Sequence, residues 1–214
     1  MKKAILFLVF CSAFHLPMIK GQSASEMEYA QLMSEVLTKL DAAKTANDLM
    51  VCRNAFELLS QKHNSQWLPV YYIAYCDIEM VYYDQGGERN TTRLEDAKRY
   101  LEKLDKDKSA DASEVNTLWG YYYMALITTN PAVNGQRYYN LVYSSLNKAL
   151  EQNPDNPRPI VLGLFFDNFM PEFLRPKRDI EGESAKAKAL FNKEEKGVEM
   201  PYWGANYLGY INDK

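Results

Sequence analysis

The stretch Leu146–Pro159, L-N-K-A-L-E-Q-N-P-D-N-P-R-P, decides the fold class of this chain. Its first half closes an amphipathic helix, and its second half opens another helix almost at once. Proline has no amide hydrogen and its ring clashes with the preceding turn, so Pro154 ends the first helix sharply. Asn156 is placed to cap the second helix, with Pro157 tolerated in its first turn. Helix, tight turn and helix together spell a stacked hairpin.

Outward from this stretch the same grammar recurs. Apolar residues return at three- and four-residue steps almost everywhere after residue 25, while strict alternation is nearly absent, which predicts helices and no sheet. The expected helices span about 26–43, 46–62, 66–84, 92–104, 113–128, 136–152, 158–170 and 183–196, with a short ninth segment at 202–211. Ser65 is the expected cap of the third, and Asn130-Pro131 the break ahead of the sixth. The first helices of successive pairs begin near 66, 113, 157 and 202, a period of about 45 residues that marks a repeat array. In such an array each unit lends its neighbour the apolar face it cannot bury alone. The expected fold is all-α, with about eight to nine helices stacked as antiparallel pairs; a conventional bundle is the alternative.

A length of 214 residues with 47% hydrophobic content suffices for one sizeable core or a short solenoid. The net charge of −3 and the lack of any basic block of five exclude strong electrostatic attraction to nucleic acid. At the N-terminus, Lys2 and Lys3 precede the apolar run Ala4–Phe10, which continues weakly to Leu16 and is followed by Pro17 and Gly21. That order reads as a secretory signal over residues 1–21, leaving 22–214 as one helical repeat domain in the periplasm or cell envelope. The run is too short to anchor the mature chain in a bilayer. A lipid-modified Cys11 is disfavoured by the bulky Phe10 before it.

Cys52 and Cys76 lie twelve residues either side of Asn64, the expected turn between two antiparallel helices, and so at equal height along the pair. A disulfide fits that spacing, and so do two buried thiols acting as small hydrophobes. The histidine of the mature chain, His63, sits at a helix end, where its expected role is to complement the helix dipole. One histidine supplies neither a metal site nor a histidine-based triad, and no glycine-rich phosphate loop, G-x-S-x-G elbow or Cys-x-x-Cys occurs. Glu79, on a helix that is otherwise mostly apolar and aromatic, is the carboxylate to watch. Its plain reading is a hydrogen bond from a nearby tyrosine.

Leu118, Trp119 and Tyr122, then Leu146, Ala149, Leu150 and Pro154, resemble the first and second helices of a tetratricopeptide repeat. Pro201-Tyr202-Trp203-Gly204, after Ala185, Ala189 and Phe191, looks like the opening of another unit, and Trp67, Tyr71 and Ala74 repeat the theme more loosely. The period exceeds the family's 34 residues by about ten. The block 153–207, with Asn168-Phe169-Met170-Pro171-Glu172-Phe173 and Trp203-Gly204, is similar to exported proteins of Bacteroidota carrying degenerate repeats. The resemblance implies a right-handed solenoid whose first helices line a concave surface, and it implies no enzymatic activity and no cofactor.

Sixteen tyrosines are the remaining clue. Tyr71, Tyr72, Tyr75, Tyr82 and Tyr83 ring the third helix, and Tyr121, Tyr122 and Tyr123 the fifth. Helical periodicity sends some of each cluster toward the concave side, where a rigid ring with a polar tip suits recognition. Tyr72, Asn116 and Tyr123 are the expected groove-facing residues. The expected function is therefore non-catalytic binding of a protein or peptide partner. A glycan or small molecule in a tyrosine-rich groove is the second reading, and an enzyme using Glu79 the third.

Overall fold

The computed structural model describes residues 23–211, so the expected signal segment lies outside the described residues. Eight α-helices follow one another: α1 Ala24–Ala42, α2 Ala46–Lys62, α3 Leu68–Tyr83, α4 Asn90–Leu104, α5 Ala112–Thr129, α6 Pro131–Gln152, α7 Pro157–Asp167 and α8 Ile180–Phe191. Two 3-10 segments, Glu172–Leu174 and Ala205–Tyr210, complete the described residues, which contain no strand. The all-α expectation holds.

Local chemistry explains most boundaries. Ser23 with Glu26, and Thr45 with Asp48, form capping boxes that satisfy amides otherwise orphaned at a helix start. Asn156 accepts from the Arg158 amide, as its sequence position predicts. His63 stands at the C-cap of α2, and its ring meets Tyr29 edge-on at 5.4 Å. Two expectations are corrected. Ser65 caps nothing, because α3 begins two residues later behind Trp67. Asn130-Pro131 starts α6 instead of preceding a gap: Asn130 accepts from the Val133 amide and Pro131 takes a first-turn position that needs no amide hydrogen. The short ninth segment expected at 202–211 is present as the 3-10 piece Ala205–Tyr210.

The helices pack as successive pairs, α1 on α2, α3 on α4, α5 on α6 and α7 on α8. The first helices also touch in series, α3 with α5 and α5 with α7, and Ala205–Tyr210 packs on α7 and α8 where the next first helix would stand. This arrangement buries α3, α5 and α7 on several sides, which explains why they read as apolar nearly all round. Gly120 lets α5 and α6 approach: a Cβ there would lie 2.6 Å from Leu146 Cδ2.

Cys52 and Cys76 are both buried free thiols. Burial pushes the Cys76 thiol well above its ordinary range, and neighbouring Cys52 adds to the effect. Beside them, Arg53 joins α2, α3 and α4 by ion pairs to Glu57, to Asp77 at 3.2 Å and to Asp96 at 3.8 Å. Three carboxylates face one guanidinium. Burial, reinforced by Asp96 and Glu57, pushes Asp77 up to about 7 against the pull of Arg53.

Candidate functional site

On α3, Tyr75, Glu79, Tyr82 and Tyr83 stand at i, i+4, i+7 and i+8, and therefore on one helical face. That face lines a cleft of about 800 Å³. Phe165 and Phe169, from α7 and its exit, wall another side, while Tyr202, Trp203, Tyr207 and Tyr210 of the C-terminal segment wall a third. Tyr83, Phe169 and Tyr210 are more than half or about half exposed, at 50%, 69% and 61%, and offer apolar faces to an incoming molecule.

The C-terminal segment is held in place by a buried polar chain. Gly204, at φ +102°, makes a turn that side-chain-bearing residues resist, and so starts the 3-10 segment immediately after Trp203. The Trp203 indole donates to the Tyr71 hydroxyl at 2.9 Å, which in turn donates to Glu114 at 3.1 Å. The Tyr202 amide donates to the Tyr72 hydroxyl at 2.9 Å. Arg158, nearly inaccessible in the first turn of α7, donates to Glu114, to both oxygens of Glu194 and to the Pro201 carbonyl. Burial pushes Glu114 up to about 6 even against Arg158. A buried charge set of this kind is tolerable only when each member finds partners.

Behind the cleft wall, Tyr121 of α5 stacks on Tyr82 at 5.2 Å and on Trp203 at 5.6 Å between ring centroids. Its hydroxyl donates to Glu79 at 2.9 Å, and the Tyr207 hydroxyl reaches the same carboxyl oxygen at 3.2 Å. Burial raises the Glu79 pKa, and the phenols of Tyr75, Tyr121 and Tyr207 pull the other way. The plain reading of Glu79 is thus the one the structure takes. Burial also holds the phenols of Tyr75, Tyr82, Tyr121 and Tyr207 well above their usual range, so they stay protonated.

The charged residues that line the cleft are Asp41, Glu79 and Glu194, with no basic residue among them. Asp41 pairs with Lys196 and Glu194 with Arg158, which leaves Glu79 as the unpaired acid in an aromatic chamber. No histidine, cysteine or methionine lines it. Elsewhere among the described residues, no three His, Cys, Asp or Glu side chains converge as a metal site.

The three residues singled out by sequence are placed away from this cleft. Tyr72 is fully buried, stacked on Phe56 at 5.0 Å, so its ring presents no face to a ligand. Asn116 donates to Gln152 across the α5–α6 pair at 2.9 Å. Tyr123 lies half-buried between Trp119 and Tyr138. None of the three lines the 800 Å³ cleft. Tyr75, Tyr82 and Tyr83, which do line it, belong to α3 like Tyr72, one to three turns further on. Their shared face was legible in their spacing; the folding back of Trp203 and Tyr207 onto that face was not.

No protein-family model matches the chain, and no curated protein matches it. Among solved structures, the HusA haemophore from Porphyromonas gingivalis superposes with a TM-score of 0.73 and 24% identity, covering 84% of this chain and 89% of that one. At that identity the likeness is one of fold: the two chains share this helical stack over most of their lengths.

Proposed function

We propose that this protein binds, without catalysis, a flat and largely apolar small molecule of tetrapyrrole size in the aromatic cleft. The observation that carries the proposal is the cleft itself: about 800 Å³, walled by tyrosine, phenylalanine and tryptophan faces on three sides. Its volume and lining suit a broad conjugated ring. The fold likeness to a haemophore makes haem the first ligand to test. Haem iron is ordinarily held by His, Cys, Met or Tyr; of these the lining offers only tyrosines, and burial keeps Tyr75, Tyr82 and Tyr207 among them protonated. Stacking and apolar burial would supply the affinity, with the acidic groups of the ligand left at the mouth, away from Glu79.

An extended peptide, the leading reading of the sequence, needs an open groove. The segment Ala205–Tyr210 packs where such a groove would continue, which favours the small molecule. The apolar N-terminal run supports export to the envelope, where a carrier of this kind would meet its ligand. The serial contact of first helices and the close Gly120–Leu146 approach support reading the stack as degenerate tetratricopeptide-type repeats.

Titration with haemin, followed by the Soret band and by quenching of Trp203 fluorescence, tests the proposal. Saturable binding is expected, with comparable affinity for the metal-free porphyrin. Replacing Tyr75 and Tyr82 together by alanine should weaken both on the order of tenfold or more, since a lost ring contact is worth about 1 kcal/mol beyond its buried area. Absence of saturation, or indifference to the double substitution, overturns it.

A further inference from the structure

A second hollow, of about 420 Å³, lies between α6 and the loop 174–178 and shares no lining residue with the aromatic cleft. Tyr139, Asn140, Tyr143 and Asn147 fall on one face of α6, at i, i+1, i+4 and i+8, and form its floor. Arg175, Lys177 and Arg178 face them from the loop.

The three cations are not equivalent. Arg178 packs against α7 where Gly163 leaves room, since a Cβ at that glycine would lie 2.9 Å from its guanidinium. Its charge is spent on Asp167 and Glu183, each at 2.9 Å, and Tyr143 fixes Asp167 with a 2.6 Å hydrogen bond. Arg178 therefore anchors the loop. Arg175 is held through its Nε, which donates to the Met170 carbonyl at 2.6 Å; it lines the hollow with no carboxylate within ion-pair distance among the described residues, though its charge acts on Asp167. Lys177 is exposed and likewise has no acidic partner among the described residues. The Asn140 and Asn147 amides bond to no protein group among those residues either. Two cations without an ion-pair partner, two free amides and two tyrosines thus meet at one concavity, whose one lining acid, Glu183, is paired with Arg178, in a chain that is acidic overall.

We propose that this hollow binds an acidic saccharide unit. A carboxylate or sulphate takes charge-assisted hydrogen bonds from Arg175 and Lys177. The amides of Asn140 and Asn147 carry both donors and acceptors, which is what neighbouring hydroxyls of a sugar require. Tyr139 and Tyr143 supply ring faces for the apolar side of the pyranose. The hollow is also far roomier than one oxyanion needs, a water molecule occupying about 30 Å³ of liquid.

Isotope-labelled protein titrated with a glucuronate-containing disaccharide, with maltose and with inorganic phosphate, at constant ionic strength, tests this. The acidic disaccharide should give saturable amide shifts confined to 174–178 and the exposed face of α6, with maltose at least tenfold weaker. The double variant Arg175→Gln/Lys177→Gln should lose at least tenfold in affinity with unchanged melting; if it melts lower, Lys177→Glu alone serves, its side chain having no partner to lose. Asn140→Ala/Asn147→Ala should weaken the disaccharide. No saturable shift, phosphate binding as tightly as the disaccharide, or affinity indifferent to the loop charges overturns the assignment.

Discussion

Glu79 shows how one residue can hold an aromatic wall together. Its carboxyl gathers hydroxyls from α5 and from the C-terminal segment onto α3, and burial makes each of those bonds costly to lose. Tyr121→Phe removes one donor and leaves the ring, so chemical denaturation should register a loss of about 1–3 kcal/mol. A variant as stable as the parent would mean that Glu79 finds its partners elsewhere. Asp77 acts by titration. Its folded value, about 7, lies above the ordinary 3.8, so near pH 5 the folded chain holds a proton that the unfolded chain has released. Stability from this group is complete below about 3.8 and is lost as pH rises through about 7. Thermal unfolding between pH 4.5 and 8 should show Asp77→Asn with a flatter decline than the parent; parallel curves would sink the assignment.

At the scale of elements, α7 depends on its cap more than a surface helix does. Asn156 accepts from the Arg158 amide and also donates to Ser113 at 3.0 Å and Glu114 at 2.9 Å, so one side chain starts α7 and ties it to α5. Asn156→Ala should cost about 2 kcal/mol or more, above an ordinary cap, because buried acceptors lose their donor as well. Urea unfolding measures this directly, and a loss below about 0.5 kcal/mol would show the cross-helix bonds to be idle. The α5–α6 pair is set by space. With no room for a Cβ beside Leu146, Gly120→Val should overpack the pair and destabilise by about 1–3 kcal/mol, read in the same way.

Across the whole molecule, the C-terminal segment turns a stack of helices into a chamber. Trp203 meets Tyr75 at a tilt, 4.8 Å between centroids, and stacks on Tyr121 at 5.6 Å while its indole bonds Tyr71, so it belongs both to the cleft wall and to the latch. Trp203→Ala should leave helical circular dichroism intact, admit protease cleavage within 201–211, and weaken haemin binding on the order of tenfold. Intact resistance to cleavage would mean that Arg158 and Gly204 hold the segment alone.

The sequence by itself determined the helices, their pairing and their order. Those rest on local chemistry: proline and asparagine at Asn153–Pro157, capping residues such as Asn156, and apolar residues at helical spacing. It also marked α3 as the aromatic helix and Glu79 as its odd carboxylate. Only the tertiary structure decided which tyrosines face the cleft. Tyr72 and Tyr75 are three residues apart, and the choice between them turns on Phe56 burying one and Trp203 flanking the other. Trp203 reaches Tyr75 through Arg158, Glu114 and Gly204, whose partners lie tens of residues away along the chain. Periodicity reports which side of a helix is apolar; what covers that side depends on contacts between residues distant in sequence, which no local pattern encodes.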